Sequence, residues 1–124
     1  MIYTVSGKLS IKGENFFVIN SGGIGFKIIT NARTVSALPA SGNEIKIFSF
    51  LYVREDKLEL YGFLEEETLK LFEMLNTVTG VGPKTALGIL DVAAVPRIIA
   101  AIVEKKTRSS DSRFGNRPKK PPNG

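Results

Sequence analysis

Thr79-Gly80-Val81-Gly82-Pro83-Lys84-Thr85 sets two glycines, a proline and a lysine side by side. Glycine tolerates positive φ, so Gly80 and Gly82 are both expected to let the chain reverse tightly. Pro83 suits a first helical position. A helix opening there presents N–H groups without internal partners, at the positive end of its dipole. Such groups suit a phosphate oxygen, and Lys84 adds a mobile cation beside them. With a helix on each side, the segment reads as a helix-hairpin-helix, which holds a nucleic-acid backbone without reading bases. Thr79, Gly80, Val81, Gly82 and Lys84 are the candidate phosphate contacts. The competing reading is that Gly-Val-Gly only ends a helix. A Walker A loop needs Gly-Lys-Ser/Thr, and here Pro83 separates Gly82 from Lys84. No strand precedes the loop, as a dinucleotide-binding turn requires. No ATP site is expected.

A second cluster is Arg54-Glu55-Asp56-Lys57, a charged turn between two strand-like segments. Alone it reads as a solvated turn, and its acids would repel DNA. Phe48, Phe50 and Tyr52 alternate along one strand; barrel aromatics can stack bases, but core or oligomer contact is the preferred reading. Ser21-Gly22-Gly23-Ile24-Gly25 has strands on both sides and reads as a hairpin turn rather than a phosphate loop. The chain has no histidine and no cysteine. The usual base and the usual metal ligands are therefore missing. Asp91 has no partner at a convincing spacing. No catalytic residue, metal site or cofactor is expected.

The elements that must position these residues change character at Leu64. Tyr3, Val5, Leu9 and Ile11 alternate with polar residues. Phe16 to Asn20, Ile24 to Ile28, Glu44 to Val53 and Leu58 to Phe63 continue as strands. Thr34 to Leu38 predicts one helical turn, stopped by Pro39. Five strands with a short helix before the fourth predict a closed barrel of the OB-fold type over residues 1–63. From Leu64, Leu69, Phe72 and Leu75 recur at helical spacing, flanked by Leu71 and Val78. Ala86, Leu87, Ile89 and Leu90 form the next apolar face. Pro96 starts a third helix with Ile98, Ile99, Ile102 and Val103. Residues 64–106 thus predict a helix-hairpin-helix segment. Residues 107–124 contain one large apolar residue, Phe114, and are expected to be a disordered basic tail.

That tail dominates the net charge of +5. Residues 105–124 carry seven basic and one acidic residue, whereas residues 1–104 carry ten basic and eleven acidic. A nucleic-acid reading therefore rests on local geometry, not on overall charge. No apolar run approaches the ~18–20 residues of a membrane span, and no signal peptide opens the chain. A cytoplasmic protein is expected.

Val53-Arg54-Glu55-Asp56, then Leu60-Tyr61-Gly62-Phe63, then Gly80-Val81-Gly82-Pro83-Lys84, in this order and spacing, resemble the RuvA family of bacterial Holliday-junction branch-migration proteins. Gly22-Gly23-Ile24-Gly25-Phe26 also fits, and the likeness covers roughly residues 1–106. The resemblance implies a homotetramer that holds four-way junction DNA open and square-planar. It implies a partner ATPase, RuvB, as motor. Glu55 and Asp56 match the acidic pair that projects at the junction centre, where carboxylates would repel phosphates and keep the arms apart. The hairpin at Thr79 to Lys84 would grip the minor-groove backbone of one arm, with Arg54 as a nearby phosphate contact. The family continues into a second Gly-x-Gly-Lys hairpin, a linker and a small helical domain that docks the ATPase. After Lys106 this sequence departs from that pattern. It resembles a truncated member, with ATPase docking lost, half the phosphate clamp missing and apolar helix faces left partly uncovered.

Three function classes remain in view. The first is a junction-specific DNA-binding subunit of a recombination and repair helicase. The second is a general single-strand or nucleic-acid-binding barrel aided by the tail, or a non-functional remnant. The third is an enzyme such as a glycosylase, which would need a positioned base or metal cluster. The tail alone would give salt-sensitive, nonspecific binding.

Overall fold

Period-two alternation builds five strands: β1 (Thr4–Lys12), β2 (Phe16–Ser21), β3 (Ile24–Ile29), β4 (Glu44–Arg54) and β5 (Lys57–Phe63). The computed structural model describes the backbone of residues 2–93 and 95–114. The strands close into a barrel in the order β1-β2-β3-β5-β4, with β3 and β5 parallel and the other pairs antiparallel. Gly22-Gly23 makes the two-residue turn between β2 and β3, as a hairpin reading of that segment requires. Strand β1 pairs with β2 on one side and β4 on the other, and its register to β2 shifts between Leu9 and Ile11. At Gly7 a Cβ would stand 2.3 Å from the carbonyl oxygen of Asn20, so only glycine admits this approach.

Inward residues Val5, Leu9, Phe17, Ile19, Ile28, Ile47 and Leu60 fill the barrel, and Leu38 joins them. Leu38 follows α1 (Ala32–Ala37), the helix that precedes β4. Asn31 caps α1: its side-chain oxygen accepts from the Thr34 backbone N–H at 3.0 Å and from the Thr34 hydroxyl at 2.7 Å. This is the OB-fold arrangement expected from the strand pattern.

Beyond the barrel come α2 (Glu66–Asn76), α3 (Pro83–Val92) and α4 (Val95–Phe114). Glu66 and Glu67 occupy the first turn of α2, where the helix dipole favours negative charge. Leu69, Leu71, Phe72 and Leu75 of α2, with Val78, are buried against Ala86, Leu87 and Leu90 of α3 and Ile98 and Ile102 of α4. Tyr61 and Phe63 of β5 belong to this same core, so barrel and helices share one apolar joint. Phe48, Phe50 and Tyr52 lie half-buried against that joint. All three rings pack against the shared core, as the preferred reading of them expects.

The backbone of α4 is helical through Phe114, into the segment 107–124 where a disordered basic tail is expected, and residues 115–124 lie outside the described residues. No Gly or Pro occurs from Thr107 to Phe114, and a helix once nucleated propagates at little cost per residue. Lack of apolar residues decides burial, not helicity. Of the apolar residues of α4, Ile99 and Val103 are 41% and 56% exposed. Only the Ile98–Ile102 ridge meets the shared core.

Candidate nucleic-acid interface

The α2–α3 connection is built by apolar anchors and one left-handed residue. Helix α2 frays through Thr77, whose N–H donates to the Met74 carbonyl at 3.1 Å, and Val78, whose N–H donates to the Leu75 carbonyl at 3.0 Å. The Val81 N–H then donates to the Val78 carbonyl at 3.0 Å and closes a four-residue turn. Gly80, third in that turn, has φ +86°, a conformation an L side chain resists. Val78 is buried and Val81 packs against the shared core. Thr79 and Gly80 between them are exposed.

Gly82 departs from expectation. Its φ is −93° and ψ −178°, which is extended backbone open to any residue. It is the N-cap of α3, and Pro83 is the first helical residue. The first helical bond runs from the Ala86 N–H to the Gly82 carbonyl at 2.9 Å. Glycine brings no side chain to cap the helix, so no side-chain oxygen meets the amides behind it. Among the described residues the N–H groups of Thr79, Gly80, Gly82, Lys84 and Thr85 have no acceptor, whereas that of Val81 is used internally. A Cβ at Gly82 would meet nothing within 4 Å. Nothing inside this chain demands glycine there; an incoming surface pressed against the backbone would. Lys84 and Thr85 are exposed at the same helix start.

Glu55 and Asp56 form the two-residue turn between β4 and β5, with Arg54 opposite Lys57 and all four exposed. Below the turn, Val53 and Leu58 are cross-strand partners, 64% and 69% exposed. Sequence reasoning did not single them out, because each fits a strand pattern equally well inside or outside. Arg54 folds back along its own strand: its Nε donates to the Tyr52 hydroxyl, and its guanidinium carbon lies 5.0 Å from the Tyr52 ring centroid. Tyr52 in turn meets the Tyr61 ring edge-on at 6.1 Å. Burial first, and then the hydrogen bond to Glu59, push the Tyr61 hydroxyl well above its ordinary pKa. The acidic turn and the amide-bearing loop therefore hang from one apolar joint, through Tyr52 and Val81.

Sequence reasoning also missed Asn31, Arg33 and Asp91. The Asp91 carboxylate accepts the Arg33 backbone N–H at 2.9 Å. The Asn31 side-chain N–H donates to the Leu87 carbonyl at 3.3 Å, and Arg33 Nη1 donates to the Leu90 carbonyl at 3.4 Å. Asn31 before Ala32 was a legible N-cap signal, but its partner 56 residues away was not. Among the described residues no three acidic side chains stand close enough to hold a metal ion, and no helix is long and apolar enough to cross a membrane.

The model of the RuvA N terminal domain family matches residues 1–62. The chain is 40% identical over 103 residues to the Holliday junction branch migration complex subunit RuvA of Acetivibrio thermocellus, covering 83% of this chain and 51% of that protein. It is 39% identical over 97 residues to the protein of that name from Gloeobacter violaceus, covering 78% and 47%. For Ruminiclostridium cellulolyticum the figures are 38% over 109 residues, 88% and 55%. The chain spans about half the length of the curated relatives it matches. On this match, over a barrel of the expected topology, the chain belongs to the RuvA family.

Proposed function

We propose that this chain binds four-way junction DNA, non-catalytically, as a targeting component of a branch-migration complex. In that setting it sits in the cytoplasm, four copies surround the junction and the ATPase RuvB supplies the motor. The observation that carries the reading is the row of unpartnered amides at Thr79, Gly80, Gly82 and Lys84, beside the exposed Lys84 side chain. Together they offer a phosphate both hydrogen-bond donors and positive charge. Glu55 and Asp56 give the assembly its second feature, an acidic turn that phosphates avoid. Arg54 beside it is the remaining phosphate contact in this reading, after release from Tyr52. A single-strand binder using Phe48, Phe50 and Tyr52 is disfavoured, because these rings are engaged with the helices.

The test is a gel-shift series with a four-way junction, the matching duplex and the matching single strand, each across a range of salt. The junction should retain binding at the highest salt. Lys84→Ala should weaken junction and duplex alike and lower the salt slope by about one. Equal binding to all three DNAs would refute junction recognition.

A further inference from the structure

We infer that Asp91, through its hold on Arg33, is a positioning residue that sets how the amide-bearing loop is aimed relative to the barrel, and so sets the preference for a four-way junction over duplex. This rests on the junction-binding reading. The contact joins two helix ends that would otherwise be incomplete. The amide of Arg33 lies in the first turn of α1, where a carboxylate is favoured by the dipole. The Leu90 carbonyl lies in the last turn of α3, where helices leave acceptors unfilled, and the Leu87 carbonyl lies one turn earlier. Arg33 fills the first, Asn31 adds a bond to the second, and Asp91 takes the donor coming back. Asn31 is itself buried and doubly engaged with Thr34, so the clamp is anchored to a rigid barrel element.

The leverage follows from length. Eight residues separate Asp91 from Pro83, so the loop end of α3 stands ~12 Å from the clamp. A tilt of about 5° at the clamp moves the loop amides by ~1 Å over such a span, a third of a hydrogen-bond length. A single phosphate on a duplex can follow that shift, since the protein simply re-seats. A junction engaged at once by the loop and by the acidic turn cannot, because both contacts must be satisfied in one geometry. Loosening the clamp therefore costs junction binding and spares duplex binding.

Asp91→Ala removes the acceptor from Arg33, and Asp91→Asn retains a carbonyl oxygen that can take the same N–H. The full chain is titrated against a synthetic four-way junction and the matching duplex. Asp91→Ala should lose junction affinity about tenfold with duplex affinity within about twofold, and Asp91→Asn should recover most of the difference. If both DNAs weaken together, or if the junction-to-duplex ratio stays at its wild-type value, the positioning role is wrong. Should Asp91→Ala fail to fold, Asp91→Glu, which displaces the carboxylate from the Arg33 amide by one methylene, is judged by the same ratio. A wild-type chain with no junction preference would overturn the proposed function and this role together. A wild-type preference that survives in the variants would overturn this role alone.

Discussion

Tyr61 of the last barrel strand and Phe72 of the first long helix lie with ring centroids 5.4 Å apart and planes inclined by 29°. Phe72 also meets Phe63 at 5.2 Å and Phe50 edge-on at 5.7 Å. One fully buried side chain thus touches three barrel rings. It fastens the helical segment to the barrel. Phe72→Ala should cost about 3–5 kcal/mol, a large share of the ~5–15 kcal/mol of a typical domain. Denaturant unfolding followed by far-UV and tyrosine signals would measure it. A loss below about 1 kcal/mol would mean the two parts do not rely on this joint.

Gly80 and Gly82 should behave in opposite ways. Gly80→Ala forces a side chain into φ +86° and should destabilise by about 1–2 kcal/mol. Gly82→Ser places a good N-cap residue in extended backbone with open space around it. Its hydroxyl would accept from the amides of Lys84 or Thr85, so stability should hold or rise by a few tenths of a kcal/mol. The same bond withdraws those amides from a phosphate. Junction affinity should fall although the fold is firmer. Thermal unfolding and DNA titration of one preparation decide this, and unchanged affinity in Gly82→Ser would count against the amides as the phosphate site.

Neutralising the turn by Glu55→Gln with Asp56→Asn should leave folding unchanged, because both residues are exposed at a two-residue turn. Duplex affinity should rise modestly, as repulsion of phosphates is relieved, and most at low salt. The arms of a bound junction, followed by energy transfer between labelled ends, should lose their open arrangement more than the complex loses affinity. Identical arm distances with and without the acids would remove them from junction shaping.

The alkaline side carries a distinct signature. The hydrogen bond to Glu66 chiefly raises the Tyr3 hydroxyl from 10.0 to about 12, with smaller help from desolvation and from Glu73. Tyr61 moves in the same direction. A raised tyrosine pKa favours the protonated form in the fold. The stabilisation is therefore complete below pH 10 and is lost as the pH climbs from 10 towards 12. Denaturation midpoints across that range should fall for the wild type and less steeply for Tyr3→Phe, which leaves only the Tyr61 contribution. Parallel slopes would show that Tyr3 and Glu66 are not coupled in solution.

Much of this protein was legible in one dimension. Alternation through Val5 and Leu9 and through Ile24, Phe26 and Ile28, with apolar runs bounded by turn residues elsewhere, marked the strands to within a residue or two, because a pleated strand turns every second side chain inward. Leu69, Phe72 and Leu75 marked α2 by the helical period. Pro83 marked the head of α3. The α2–α3 loop, with its glycines and lysine, was found for the same reason: its chemistry is local and its residues are contiguous.

Where a residue's role depends on a distant partner, periodicity had nothing to offer. Gly82 was expected to share the left-handed conformation of Gly80, yet only the turn closed by Val78 and Val81 decided which glycine bears it. Asp91 had no partner until folding carried α3 against α1, across 58 residues. Ile98 and Ile99 are equivalent by hydropathy, but α4 turns one to the core and the other to solvent. The sequence by itself determined the elements and the exposed loop of glycines and lysine between α2 and α3, because both arise from the spacing of neighbouring residues. Tertiary structure alone decided which faces are buried, that one apolar joint carries both the acidic turn and the loop, and that two helix ends complete each other. These are outcomes of long-range packing, and no short window of residues contains them.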